Sequence, residues 1–360
     1  MKTFRLAIVL AACAASLANA DVVVTTPAVG YQKLLARAES DTRLSIALVK
    51  RPVLTGRVTA VAASSIALSG VALTDGFFAA GPSGSYYAQV VTGDLAGLCF
   101  PIVGNTSETI SLDTQGDDLT NHPLGSLLTG VSGDVVRIRS FWSIGDIWGS
   151  DVASLLLDSI DNLPTGPYAT GDAVFLPDAI APGTDKKPSA TLYYVSGHGW
   201  RTTIEPDANA VLTPLPPGRP FKVRRHNSLP AEALVIGDAP SEPFRLRIPA
   251  LSAGQEMDVD VALARSTPTT LALSGLFSSG TETVLNASNA LLDPVDLLIE
   301  YNSDRHGFSL PSEQRYHVVG AGWFDAAGSA DSHVLMPGEG YVLRLRGERA
   351  ARYWLQSSSE

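Results

Sequence analysis

The chain has 360 residues, of which 26 are lysine or arginine and 36 are aspartate or glutamate, so its formal net charge is −10. This acidic balance argues against nucleic acid and anionic membrane surfaces as partners. With 45% apolar and 17% charged residues, the composition is that of a folded protein rather than a disordered one. The length allows two or three domains that each bury a core of their own.

The first twenty residues predict an export signal. Basic residues in the segment 2–5 precede an apolar run over 6–17, and Ala18-Asn19-Ala20 has the small-residue pattern of a cleavage site. An apolar run of about twelve residues is too short to span a bilayer. A second interpretation stays open, because Leu10-Ala11-Ala12-Cys13 has lipoprotein-signal spacing and would place a lipid on Cys13. We therefore expect an exported protein (extracellular, periplasmic or at the cell surface), with no transmembrane segment in the mature chain.

Cysteine usage excludes a disulfide framework. Of the two cysteines, Cys13 lies in the predicted signal, so Cys99 has no intramolecular partner in the mature chain. Its neighbours Leu98 and Phe100 are apolar, which favours a buried thiol over a nucleophile.

Short alternating segments between residues 21 and 148 predict an N-terminal β domain, either a barrel or a sandwich. Residues 31–39 have helix-forming composition, but we assign them to a strand because strands surround them. Residues 57–61 and 65–69 alternate around a small-residue turn and predict a hairpin. The pattern continues in four further segments, at 86–91, 100–103, 109–113 and 135–141.

This region also carries turn and core motifs with a characteristic spacing. They are Val29-Gly30-Tyr31, Thr55-Gly56-Arg57-Val58, Tyr86-Tyr87, Phe100-Pro101-Ile102 and Phe141-Trp142-Ser143-Ile144-Gly145-Asp146-Ile147-Trp148. In these motifs, and in the C-terminal proline–glycine–aromatic strand, the chain resembles a bacterial family of exported, β-rich paralogues of unknown function. The resemblance implies a signal peptide and an exported β-rich fold. It implies no catalytic residues.

Residues 149–167 are predicted to be a short helix followed by a linker. Ser150 can cap a helix over 151–160, where Val152, Leu155 and Leu156 form part of an apolar stripe. The proline- and glycine-containing segment 162–167 then marks a domain boundary.

The remaining region, 168–360, contains two similar modules at about 172–237 and 296–357. Residues 193–200 end in Gly-His-Gly-Trp200, and residues 316–323 end in Gly-Ala-Gly-Trp323 at the corresponding position. Each is followed by a turn, Pro217-Gly218 in the first and Pro337-Gly338 in the second, that precedes an aromatic strand. A repeat of about sixty residues is the usual size of one supersecondary module. The sequence therefore predicts a C-terminal β-sandwich assembly with an internally duplicated module.

The repeated tryptophans are the candidate ligand residues of the chain. Trp200 and Trp323 could stack on sugar rings, but their repeated position beside glycines favours a role as core residues. Arginines at 224, 225, 344 and 346 could form a basic stripe that binds an anionic polymer, but the acidic total favours a solvated face. The aspartates between 113 and 118 could bind calcium, but they lack the spacing of a defined calcium loop, which favours an ordinary polar turn. We predict no catalytic, cofactor-binding or metal-binding residues, because no nucleophile–base pair or metal-ligand spacing is present.

These observations favour an exported, non-enzymatic structural or interaction protein of the cell envelope or exterior. Its own subunits or a surface polysaccharide are the expected partners. A carbohydrate-binding module is the alternative, followed by a secreted hydrolase whose carboxylates converge only in the fold.

Overall fold

The computed structural model of the protein describes residues 28–71, 73–79, 85–161, 171–277, 283–291, 295–301 and 311–357. Regular structure in these ranges is almost entirely β, which confirms the predicted all-β fold. None of the helices in the described ranges is long and apolar enough to span a bilayer. The predicted signal peptide, its cleavage site after Ala20 and the alternative lipid site at Cys13 lie outside the described residues.

Two strands open the described chain: β1 (Val29–Ala36) and β2 (Ser40–Leu44). β1 confirms the strand predicted near residue 31. The turn between the two strands places Glu39 in the left-handed region with a φ of 47°.

The next six strands close into a barrel, one of the two architectures predicted for the N-terminal β domain. They are β3 (Leu54–Ala62), β4 (Ser65–Leu68), β5 (Tyr86–Val90), β6 (Cys99–Asn105), β7 (Ile110–Leu112) and β8 (Val135–Ser140). Their order around the barrel is β3-β4-β7-β6-β5-β8. β3 and β4 form the predicted hairpin, with Val61 opposite Ile66. Inward residues such as Val58, Ile110 and Ile138 are fully buried and fill the barrel.

A first unit is formed by strands that lie before and after the barrel strands in the sequence. It combines β1 and β2 with β9 (Trp142–Ser143), helix α1 (Ile144–Trp148), β10 (Ala173–Leu176), β11 (Ala190–Val195), β12 (Gly199–Thr202), β13 (Pro214–Leu215), β14 (Phe221–Arg225) and β15 (Ala231–Asp238). The main sheet has the order β12-β11-β10-β14-β2, and β1 pairs with β15 in a separate ribbon.

The pairing of β1 and β2 differs from the predicted N-terminal domain at 21–148. Both strands belong to the first unit, and the barrel occupies only the strands from β3 to β8. The register explains the choice of partner. Asp41 of β2 lies opposite Arg224 of β14, and the two side chains form a two-point ion pair of 2.7 and 2.8 Å.

The helix predicted at 151–160 does not form, and the helix of this region is α1. Ser143 caps α1 in a reciprocal capping box with Asp146. Gly149 ends the helix with a φ of 98°. Beyond it, the Asp151 carboxylate accepts hydrogen bonds from the backbone N–H groups of residues 153 and 154, a local turn that competes with helix formation. The linker after residue 161 lies outside the described residues.

A second unit contains the remaining strands: β16 (Phe244–Ile248), β17 (Glu256–Ala262), β18 (Thr269–Thr270), β19 (Leu297–Tyr301), β20 (Pro311–Val318), β21 (Gly322–Asp325), β22 (Gly328–Ser329), β23 (Val334–Leu335), β24 (Gly340–Arg346) and β25 (Arg352–Gln356). Its main sheet has the order β17-β24-β19-β20-β21-β22, and β16 pairs with β25 in a ribbon. Its core contains the large side chains of Trp323, Tyr341 and Trp354, each of which is at most 2% exposed.

The two units have corresponding strand pairings. β2-β14-β10-β11-β12 in the first unit matches β17-β24-β19-β20-β21 in the second, and each unit has one ribbon and one two-residue pair. Two buried carboxylates also correspond. Asp172 accepts from the backbone N–H groups of Asp158 and His226, and Asp296 accepts from those of Asn286 and Arg346. The duplicated module stays a prediction that these pairings support, with the barrel lying between β2 and β9 of the first unit.

Reciprocal contacts join the two units. The backbone N–H of Ser45 donates to the carbonyl of Gly338, and that of Ala262 donates to the carbonyl of Gly218, both at 2.9 Å. Each acceptor belongs to a proline–glycine turn of the opposite unit. A Cβ at Gly218 would lie 2.5 Å from the ring of Phe244, so the close approach of this turn requires glycine.

Candidate functional site

A cavity of about 170 Å³ lies where the barrel and the two units meet. Its walls are mainly apolar, and a few charged side chains enter it. The lining residues are Leu98, Cys99, Phe100, Pro101, Asp113, Thr114, Gln115, Asp117, Phe141, Ala179, Pro216, Pro217, Arg219, Phe244, Arg245, Leu246, Arg247 and Tyr353. An apolar pocket with a few polar groups at a domain junction is the usual form of a small-molecule site.

Three parts of the protein form the cavity. The barrel contributes the start of β6 and the loop after β7, the first unit contributes the turn before β14, and the second contributes its ribbon. Alternation along β16 turns Phe244, Leu246 and Ile248 into the core, so Arg245 and Arg247 face the barrel. The backbone N–H of Arg245 donates to the carbonyl of Gly97 at 2.8 Å, which fixes the barrel on this ribbon.

A buried polar cluster connects one side of the cavity to the barrel. Arg247 donates to the two carboxylate oxygens of Asp117 at 3.0 and 3.3 Å, and the Tyr353 hydroxyl donates to the same carboxylate. Nδ1 of His122 accepts from the backbone N–H of Leu124 at 3.2 Å, so the neutral ring carries its proton on Nε2, 3.0 Å from the Tyr353 oxygen. Burial lowers the pKa of His122 and raises that of Tyr353. The neutral histidine and phenol therefore act as hydrogen-bonding groups that fasten the barrel loop to the ribbon.

The aspartates between 113 and 118 are occupied by other contacts. Asp117 belongs to the cluster with Arg247, while Asp113 and Asp118 accept from the backbone N–H groups of Gln115 and Thr120 in local turns. The structure therefore uses this segment as a turn and as an anchor for Arg247.

Arg219 lines the cavity and forms no ion pair among the described residues; the carboxylate whose charge acts on it, Asp260, is bonded to Arg43. Its Nη1 donates to the carbonyl of Asp260 at 3.2 Å, and its Nη2 donates to the carbonyl of Arg247 at 2.8 Å. Burial lowers the pKa of Arg219 to about 10, which leaves the guanidinium charged at neutral pH. Two backbone carbonyls thus hold a cation at the wall of an apolar cavity.

Cys99 lines the same cavity as a protonated thiol. Burial raises its pKa to about 12, so the thiolate that would act as a nucleophile is scarce at neutral pH.

The candidate basic stripe is neutralised by carboxylates. Each of its four arginines forms an ion pair: Arg224 with Asp41, Arg225 with Asp172, Arg344 with Asp258 and Arg346 with Glu256. A second, smaller cavity of about 80 Å³ lies between the two units beside these pairs, with Arg43 bonded to Asp260 at its wall. The stripe therefore stabilises the sheets and offers no continuous positive surface.

Trp200 and Trp323 occupy the core of their units. They are 1% and 2% exposed, each as the second residue of its strand, β12 and β21. Trp200 packs edge-on against Tyr194, and Trp323 packs in the same way against His317. Nε1 of Trp200 donates to the carbonyl of Gly149 at 2.7 Å. Neither ring presents an open face, so we place no sugar-stacking site on them.

One group in the described ranges has the composition of a metal site: Glu300, Glu313 and His333. Arg315 is buried between the two carboxylates and bonds to both. A guanidinium therefore already occupies the position between the two carboxylates, and we assign no metal to this cluster.

The outer face of the β1–β15 ribbon is apolar and exposed. Tyr31 lies opposite Ile236 with exposures of 71% and 51%, and Leu234 beside them is 65% exposed. Lys33 lies opposite Leu234 within this face and forms an ion pair of 2.6 Å with Glu232. We call these residues the ribbon face. The outer face of the β16–β25 ribbon in the second unit is covered by the barrel through Arg245, Arg247 and Tyr353.

Sequence analysis did not find the cavity or the ribbon face. Cys99, the aspartates between 113 and 118 and the Pro217-Gly218 turn were noted in the sequence, but no local pattern indicated that they line one cavity, and Arg219 itself was not singled out. Alternation in residues 231–238 was visible, but it does not show which strands remain uncovered. Comparison of the chain with protein-family models, with curated proteins and with solved structures gave no match in any of the three.

Proposed function

We propose that the chain is an exported, non-enzymatic structural or interaction protein of the cell envelope or exterior, and that it associates with further copies of itself. The observation that carries the proposal is the ribbon face. Large apolar side chains seldom form a continuous exposed patch unless the patch contacts another molecule. Export rests on the signal predicted at residues 1–20.

A second copy of the chain is the occupant that the chemistry of the ribbon face favours. In a two-fold arrangement of two such faces, Tyr31, Leu234 and Ile236 would pack against their counterparts. Lys33 and Glu232 lie 58% and 53% exposed at the same face, so each could pair with the opposite charge of the other copy. The ribbon face can therefore pack its apolar side chains, and pair its charged ones, against a second copy of itself.

The size of the face favours weak association. An eight-residue, two-stranded ribbon is about 27 Å long and covers about 300 Å². A stable dimer usually buries about 800 Å² on each partner. We therefore expect association that becomes strong only where many copies are held together, as at a cell surface.

Sedimentation velocity from micromolar to millimolar concentration tests the association. The double variant Tyr31→Thr, Ile236→Thr keeps strand-forming residues and should remove the concentration-dependent species. Val131→Thr is the matched control, because Val131 is 97% exposed on the barrel. A wild-type protein that remains monomeric throughout would overturn self-association. Retention of that monomer on insoluble polysaccharide, lost in the double variant, would establish the carbohydrate-binding alternative instead.

Export is tested separately by fractionating cells and determining the N-terminus of the mature protein. Cleavage after Ala20 predicts Asp21 as its first residue, and lipidation predicts Cys13. An intact Met1 on protein in the cytoplasm would contradict both.

A further inference from the structure

The charge balance of the cavity between the barrel and the two units is incomplete. Arg247 is neutralised by Asp117 within the buried cluster. Arg219 bonds to two carbonyls and forms no ion pair in the described part of the chain, and the carboxylate whose charge acts on it, Asp260, is already bonded to Arg43. Burying two cations beside one carboxylate is unfavourable, even where carbonyl oxygens accept hydrogen bonds from one of them. The charges at the cavity therefore favour the binding of one anion.

The volume and the apolar walls define the rest of the ligand. A cavity of about 170 Å³ exceeds the 150 Å³ that suffices for benzene in an apolar protein cavity. Pro101, Phe141 and Pro217 supply apolar surface on several sides. A single small ion would leave these walls in contact with water.

We propose that this cavity binds a small amphipathic carboxylate, with the carboxylate at Arg219 and an apolar body of six or seven carbons between the barrel and the ribbon. A guanidinium has five N–H donors in a planar fork, and the two carbonyl contacts leave donors for a carboxylate. Three parts of the protein form the walls, so the bound ligand also ties the barrel to both units. The proposal does not depend on self-association through the ribbon face.

Aromatic carboxylates are suitable probes. Isothermal titration of the mature protein with benzoate should give a dissociation constant between about 10 µM and 1 mM, in the ordinary range for so small a ligand. Benzamide has the same shape without the charge, and acetate has the charge without the ring. Each should bind at least about tenfold more weakly, because each loses either the charge-assisted hydrogen bonds or the apolar contacts.

Two variants and a control locate the site. Arg219→Met should weaken benzoate binding about tenfold or more and reduce the preference over benzamide. Ala179→Leu keeps the arginine but fills part of the cavity, so it should weaken benzoate and benzamide alike. Arg51→Met removes a side chain that is 76% exposed and should leave the affinity unchanged.

Three results would overturn the proposal: no benzoate binding at 10 mM, equal affinity for benzoate and benzamide, or equal effects of Arg219→Met and Arg51→Met. If Arg219→Met does not fold, Ala179→Leu and the benzamide comparison decide the outcome. Thermal unfolding gives an independent measurement, since benzoate should raise the melting temperature of the wild type more than that of Ala179→Leu.

Discussion

The ion pair between Asp296 and Arg349 is the place where a single substitution should destabilise the second unit most clearly. The two side chains are 0% and 1% exposed and share two contacts of 2.8 Å. The carboxylate also accepts from the backbone N–H groups of Asn286 and Arg346. Arg349→Met would leave this carboxylate buried with only those two N–H donors. We expect the free energy of unfolding to fall by about 3–5 kcal/mol, the usual cost of removing one partner from a buried pair.

Urea unfolding followed by tryptophan fluorescence measures this loss, since Trp323 and Trp354 report on the core of the second unit. With a slope of about 1–3 kcal/mol per molar urea, the midpoint should fall by about 1 M or more. The double variant Arg349→Met, Asp296→Asn should recover part of the loss, because it no longer buries an unpaired charge. Arg51→Met, which removes an exposed arginine 3.5 Å from Asp238, should change the free energy by less than about 0.5 kcal/mol. Equal midpoints for Arg349→Met and Arg51→Met would refute the reasoning.

Three further predictions concern the core and the junction. Trp200→Ala and Trp323→Ala should each lower the free energy of unfolding by about 3–5 kcal/mol, and unchanged urea midpoints would show that the rings are not core residues. Iodoacetamide at pH 8 should modify Cys99 far more slowly in the native protein than in urea, because burial raises its pKa to about 12; equal rates would contradict a buried thiol. Burial lowers the folded pKa of His122 below its unfolded value of about 6.5, so the unfolded chain binds the proton first as the pH falls. Stability from this group is present above about pH 6.5 and is lost as the pH falls toward the folded pKa, and His122→Gln should reduce that decline in unfolding titrations between pH 5 and 7.

The barrel shows which structural features the local sequence pattern predicts correctly. Its strands alternate between inward and outward residues, and the turn at residues 63–64 sits between two such segments, so the β3–β4 hairpin was predictable. The tryptophan positions were predictable for the same reason. Gly-x-Gly-Trp spans the turn of the same hairpin in each unit, β11–β12 and β20–β21, and places the tryptophan as the second residue of the second strand.

The helix predicted at 151–160 shows where local pattern misleads. Its apolar spacing suits a helix, but Asp151 bonds to the backbone of the following residues, and residues 158 and 160 bond to Asp172 and Tyr194. These long-range contacts satisfy the backbone polar groups that a helix would have satisfied internally.

By itself, the sequence determined the all-β class, the individual strands and turns, and the matching positions of Trp200 and Trp323. Those features depend on side-chain alternation and turn chemistry within a few residues. Only the tertiary structure decided that β1 and β2 pair with β15 and β14, although the barrel strands separate them in the sequence. It also decided that Arg219 lines a cavity without an ion-pair partner among the described residues, and that the ribbon face is uncovered. Such features depend on which distant surfaces meet, because partner choice follows from burial and charge summed over the whole fold, and no local period encodes it.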